Sequence, residues 1–240
     1  MKKITSAALL ALKLTWLAAL AFTLTGAALQ IFNVFRELMP GGVPLQTTFG
    51  FEELLRSAAE PVGRLWMALM MFMLGMGQNK GSKSVYTMNR LGLSENQITL
   101  VFGCVFTGYF LLYWAFQIAL CYGFFVWYSR FTLVGSNAWM LAVWRSEWLH
   151  TLLPLGEWWG YLRNIVICLS FGFCAAFNSH RARHGKHSTS MPIFLVILCS
   201  SMVSGQVGSL ARTVVLTVLL ILYTIGSWFF MKGGLEDEDL

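Results

Sequence analysis

The sequence predicts an all-α integral membrane protein: a single domain, residues 1–240, of six transmembrane helices with both termini cytoplasmic. Three observations predict it. Hydrophobic residues make up 57% of the chain and charged residues 12%, against about 45–50% and 25% in soluble domains. Six apolar runs approach or exceed the roughly 20 residues that a helical crossing needs. Lysine and arginine gather in alternate short loops, as they do on the cytoplasmic side of a membrane. The runs leave no length for a separate soluble domain, and an aromatic content of 15% excludes a disordered, solvated chain.

The chain opens on Lys2 and Lys3. Lys13 interrupts the early apolar stretch and no small-x-small cleavage site ends it, so this segment is expected to stay as a cytoplasmic lead-in and not to be removed as a signal peptide. The crossings follow at 14–35, 61–79, 99–125, 158–178, 191–209 and 212–231. Each is expected to be helical because lipid offers backbone groups no outside partner. Pro61 suits the first position of helix two, where its missing N–H costs nothing. Helices five and six join tightly through Gly205, Gly208 and Ser209 to Arg212.

Direction follows from the loops. Lys2, Lys3 and Lys13, then Lys80, Lys83 and Arg90, then Arg181, Arg183 and Lys186, and finally Lys232 all fall on one side. The other side carries Arg36, Arg56, Arg64, Arg130, Arg145, Arg163 and Arg212, mixed with glutamates. Two longer segments lie there. Residues 51–59, after Pro40-Gly41-Gly42, read as a partial helix on the surface. In 136–153 Ser136 can cap a helix with Met140, Trp144, Trp148 and Leu152 on one stripe, expected to anchor at the headgroup level until Pro154 stops it.

The residues that catalysis would need are sparse. His150, His180, His184 and His187 fall in expected loops, and the first aspartate is Asp237. This argues against a Ser-His protease, a carboxylate pair or an H-E-x-x-H zinc site, so no catalytic, cofactor-binding or metal residues are expected. No G-x-x-x-x-G-K-[ST] loop occurs, so any nucleotide hydrolysis belongs to another polypeptide. The histidines at 180, 184 and 187 are interleaved with cations, which disfavours a divalent ion. Cys104, Cys121, Cys168, Cys174 and Cys199 lie in apolar runs without a C-x-x-C pair and read as packing residues. The net charge of +6 is not pooled in an aromatic-interleaved patch, so no nucleic-acid partner is expected. The acidic end, residues 236–239, reads as solvated.

Polar groups inside the crossings mark the candidate pathway or subunit interface. In helix one Thr23, Gly26, Gln30 and Asn33 share a face. In helix five Ser200, Ser204 and Gly208 form one row and Ser201, Gly205 and Ser209 the next, with Gln206 near the outer end. Such rows allow close helix approach. The loop between helices two and three holds a short basic helix: Ser82 or Ser84 can cap it, Gly92 can end it, and Ser94 with Gln97 forms a capping box for helix three. Val85, Tyr86, Met88 and Leu91 are apolar groups that a partner protein would cover.

With that stretch, Tyr86-Thr87-Met88-Asn89-Arg90-Leu91-Gly92-Leu93-Ser94, the chain resembles the permease subunits of bacterial ABC transporters of the type-2 exporter class. The layout agrees: six helices, both ends inside and a basic lead-in. The resemblance implies that Val85, Tyr86, Thr87, Met88, Asn89, Arg90 and Leu91 form the coupling helix that docks into a cleft of an ABC ATPase subunit. It also implies a second permease, identical or homologous, in the bacterial cytoplasmic (inner) membrane, with ATP and Mg used by the partner and no cofactor bound by this chain. Relatives often carry outer helices between helices five and six; here the outer material precedes helices two and four. The expected substrate is a hydrophobic compound, an antimicrobial peptide or a lipid-like molecule. The alternative is the substrate-capturing membrane subunit of a vitamin importer, which predicts a closed pocket within one chain and no coupling loop.

Overall fold

The computed structural model describes residues 2–39, 50–76, 92–130, 137–183, 192–197 and 210–236. All regular structure among them is helical. The elements are α1 (Lys2–Leu38), α2 (Phe51–Leu54), a π turn (Leu55–Ala59), α3 (Glu60–Met76), α4 (Glu95–Tyr128), α5 (Ala138–Arg145), α6 (Glu147–Leu152), α7 (Trp158–Arg183), α8 (192–197) and α9 (Leu210–Glu236). Segments of α1, α4 and α7 are long and apolar enough to cross a membrane, and α9 contains a shorter apolar stretch, Thr213–Phe229. Three of the six expected crossings therefore meet that criterion among the described residues. Of 191–209, only α8 is described.

Helix α4 begins as its sequence requires. The Ser94 hydroxyl accepts from the Gln97 N–H at 3.3 Å while the Gln97 side chain accepts from the Ser94 N–H at 3.2 Å, satisfying two donors that a helix start otherwise leaves open. Just before it Gly92 has φ +57°, a left-handed conformation that favours glycine.

The second crossing departs from expectation. Residues 51–59 are helical, with Glu53, Arg56 and Ser57 exposed and Phe51, Leu54, Leu55, Ala58 and Ala59 buried, but they are not a separate element, because their helix runs directly into α3. Pro61 therefore does not begin a helix. It cannot donate to Ser57 one turn back, and the chain widens just upstream, where the Glu60 N–H reaches Leu55 O five residues away. The stripe in 136–153 is also broken. Ser146, with ψ 118°, leaves helical geometry and caps α6 through the Leu149 N–H, so Met140 and Trp144 stay exposed while Trp148 and Leu152 are buried.

Side-chain contacts fix how the helices run. Thr15 bonds Tyr109 and Phe35 stacks on Trp127, so α1 and α4 are parallel. The Trp66 indole donates to Phe22 O at 2.6 Å while Gln30 reaches Ala59 O, so the α2–α3 segment runs antiparallel to α1. Thr99 bonds His180 and Trp114 meets Tyr161, so α7 opposes α4. Ser170 lies beside Thr224 and Phe177 beside Trp228, so α9 runs with α7. One end of the bundle thus gathers Lys3, Gly92, Glu95 and His180, and the other gathers α2, α5 and α6.

Helix α7 is central and touches α3, α4, α6 and α9. Its contact with α4 is close: a Cβ at Gly172 would meet Thr107 N at 2.5 Å, and one at Gly103 would meet the Phe173 ring at 2.7 Å. Around it Phe102, Phe106, Phe110, Met70, Met71 and Phe171 form one core, and Val34, Leu55, Phe124, Val143 and Leu149 belong to a second at the α5–α6 end.

Candidate functional site

The expected face of α1 turns inward in part. Gln30 is buried, Gly26 admits no Cβ because the Trp66 ring occupies that space, and Thr23 and Asn33 are half-buried. Thr23 spends its hydroxyl on Ala19 O within its own helix. The inward stripe extends toward the N-terminus through Ala7, Ala11, Thr15 and Ala19, spaced by four. Small residues at that interval let neighbouring helices approach. The coupling residues Val85, Tyr86, Thr87, Met88, Asn89, Arg90 and Leu91 lie outside the described residues, as do Ser200, Ser201, Ser204, Gly205, Gln206 and Gly208.

Gln30 leads to a site that the sequence alone did not single out. Its amide donates to Ala59 O and to the Gln117 Oε1 of α4, both at 3.0 Å. Gly63 of α3 makes room for this pair, since a Cβ there would fall 2.7 Å from Gln30 Nε2 and 2.9 Å from the Trp148 ring. On the far side of Gln117 a cavity of about 90 Å³ opens between α3, α4, α6 and α7, lined by Arg64, Tyr113, Trp114, Gln117, Trp148, Asn164 and apolar neighbours including Met67, Cys168 and Phe171. That volume holds several water-sized groups.

Each wall has a structural reason to stay in place. Tyr113 donates to Gly63 O at 3.1 Å, tying α4 to α3. The last carbonyls of α6 have no partners within their own helix. Trp114 Nε1 donates to Leu152 O at 2.9 Å, and Asn164 Nδ2 to Thr151 O at 2.7 Å with Arg163 adding a bond at 3.3 Å, so α6 is held across the cavity by α4 and α7. Arg64 pairs with Glu60 one turn earlier and stands 5.6 Å over the Trp148 ring. The Gln117 side chain also hydrogen-bonds that of Tyr113, and Trp148 that of Cys121, while both ring nitrogens of His150 nearby are without hydrogen bonds. Burial holds the His150 pKa below its ordinary value, opposed by Glu157 and reinforced by Arg163, so the imidazole is neutral.

Two histidines thus correct the expectation that all four lie in loops. His150 is buried in α6, and His180 is buried in α7 with Nδ1 3.3 Å from Thr99 Oγ1 and 3.4 Å from Glu95 Oε2. Helix α7 outlasts the expected crossing because these contacts reward its last turns. Beyond α6 a second recess of about 140 Å³ is lined by Glu52, Glu53, Arg56, Glu60, Arg145 and Glu147, with Arg145 3.8 Å from Glu52. Among the described residues no three His, Cys, Asp or Glu side chains are grouped to hold a metal.

Gln117 left a signal in the sequence: it is a lone amide in a long apolar run, and polar groups at membrane depth are costly unless employed. Arg64 and Trp148 left none, because only the fold brings α3 and α6 together. The described lining offers apolar walls and a few polar side chains. No protein-family model, curated protein or solved structure matches the chain.

Proposed function

We propose that this chain is the membrane-spanning permease subunit of an ATP-driven exporter in the bacterial cytoplasmic membrane, with an ABC ATPase and a second permease as partners. The observation that carries the reading is where α4 starts. The Ser94 capping box restarts the chain at the bundle end that also holds Lys3, whose Nζ lies 3.5 Å from the position a Cβ on Gly92 would take. Gly92 follows Lys80, Lys83 and Arg90 in sequence, and positive charge near the ends of crossings favours the cytoplasmic side, which supports reading this bundle end as cytoplasmic.

The test is affinity purification of the full chain from its native membrane, reading ATP hydrolysis and identifying co-purifying polypeptides. A Walker A polypeptide should accompany the wild-type chain. Tyr86→Ala combined with Met88→Ala should leave expression intact and lose both the polypeptide and the hydrolysis. Full retention of both in the double variant removes the docking claim.

A second reading, the substrate-capturing membrane subunit of an importer, is favoured by the cavity, because helices of one chain bound it. That reading expects saturable binding by the isolated chain and no dependence of ATPase capture on Tyr86 or Met88.

A further inference from the structure

Helix α6 carries a buried side chain that lines neither recess. His150 is 6% exposed, its ring lies 5.7 Å from that of Trp144 on α5, and neither ring nitrogen has a hydrogen bond. A neutral imidazole bears that environment at the cost of unmade hydrogen bonds, whereas an imidazolium would place an unpaired charge in it. Two charged groups act on the ring: Glu157, in the turn before α7, favours a proton there, and Arg163 of α7 opposes one. Arg163 is also one of the ties that hold α6, since its guanidinium and the Asn164 amide both donate to Thr151 O. Among the described residues the other charges around α6 are matched elsewhere. Glu60 pairs with Arg64 on α3, Arg145 of α5 lies 3.8 Å from Glu52, and Glu147 and Arg56 act on Glu60. The one charged residue of α4, Glu95, stands at the opposite end of the bundle.

The backbone on both sides of α6 leaves helical geometry. Ser146, with ψ 118°, separates it from α5, and Gly156, with φ +83° and open space where a Cβ would stand, lies between it and α7. A short helix between two such joints can leave its seat without unwinding α5 or α7. We infer that α6 is an acid-responsive element: a proton on His150 releases it from α7, and with it Trp148 and Leu152, two walls of the cavity. The driving force is the difference in proton affinity between the seated and the released ring. Desolvation chiefly holds the seated ring below the ordinary histidine value, while a released, hydrated ring takes its proton near pH 6.5. The seated form is therefore fully favoured above about pH 6.5 and loses ground beneath it, by at most about tenfold per pH unit. The device needs no ATPase, so it stands or falls separately from the exporter reading.

The test is amide hydrogen exchange of the purified full chain in detergent micelles between pH 7 and pH 5, with rates corrected for the intrinsic pH dependence of exchange. Opening of 147–153 is expected to rise between about fivefold and thirtyfold, the upper figure being the limit for one histidine that titrates near pH 6.5 when released. Residues 98–113 of α4, which contribute Phe102, Phe106 and Phe110 to the first core, should stay protected. His150→Gln, which keeps a polar side chain and cannot titrate, should remove the rise. Glu157→Gln, which deletes the group that favours the proton on the seated ring, should enlarge the rise toward that limit and serves if His150→Gln fails to fold. Constant exchange of 147–153 across the range, a rise that survives His150→Gln, no enlargement in Glu157→Gln, or equal loss of protection in 98–113 overturns the inference.

Discussion

Helices α1 and α7 are both apolar and both long enough to cross a membrane, yet they occupy opposite environments. In the most apolar window of α1 only 22% of residues are buried within the protein, against 67% in α7, with α4 between them at 44%. Burial runs against apolarity: α1 is the most apolar of the three and α7 the least. In water the order would be reversed. In lipid the hydrophobic effect does not drive helices together, so Leu9, Leu17, Leu20 and Leu24 of α1 face outward at no cost, while the centre goes to residues that pack closely or bond across a contact. Helix α7 supplies Gly172, Asn164, Ser170 and His180 for that purpose.

If burial decides a residue's contribution, the largest effect should come from the smallest change in the centre. Gly172→Ala places a methyl against the Thr107 backbone, which cannot yield as a flexible side chain would, and should cost about 3 kcal/mol or more. Reversible unfolding in mixed micelles measures it; a loss under about 0.5 kcal/mol would mean that α4 and α7 are not held this closely.

The polar tie between α1 and the centre comes next. Gln30→Leu leaves the Gln117 amide without its partner at a cost of about 2 kcal/mol, whereas the double change with Gln117→Leu replaces both partners by apolar groups and should cost clearly less than the sum of the single changes. A double-mutant cycle with no coupling would show that the Gln30–Gln117 bond does not help to hold α1.

A smaller effect belongs to α6. His150 is buried and neutral, with its pKa lowered chiefly by desolvation. The unfolded chain binds a proton near pH 6.5 and the folded chain does so only below that, so stability should be level above about pH 6.5 and fall as pH drops beneath it. His150→Phe should flatten that decline in the unfolding midpoint measured between pH 7 and pH 5. The smallest effect is expected at Leu17, 64% exposed on the lipid face of α1. Leu17→Ala should change stability by no more than about 0.5 kcal/mol, by the same unfolding measurement.

Local chemistry was legible where one segment contained both halves of an interaction. The Ser94–Gln97 box formed at its spacing, and Gln30 turned inward because an amide at membrane depth needs a partner that lipid does not offer. Readings failed where the deciding partner was distant. Met140, Trp144, Trp148 and Leu152 share a helical period, but Ser146 breaks the helix and only the last two find a covering surface. His150 and His180 looked like loop residues because α6 and the end of α7 gain their burial from contacts with other segments.

By itself, then, the sequence determined that the chain is helical and suited to a bilayer, that α4 begins at the Ser94 box, and that Gln30 turns inward, because backbone satisfaction, capping and desolvation act over a few residues. Only the tertiary structure decided which apolar helix is central, that Pro61 lies inside a helix, and that Arg64, Gln117 and Trp148 surround one cavity. Those outcomes depend on contacts such as Gly172 with Thr107 and Gln30 with Gln117, between residues 65 or more positions apart, and no local period encodes them.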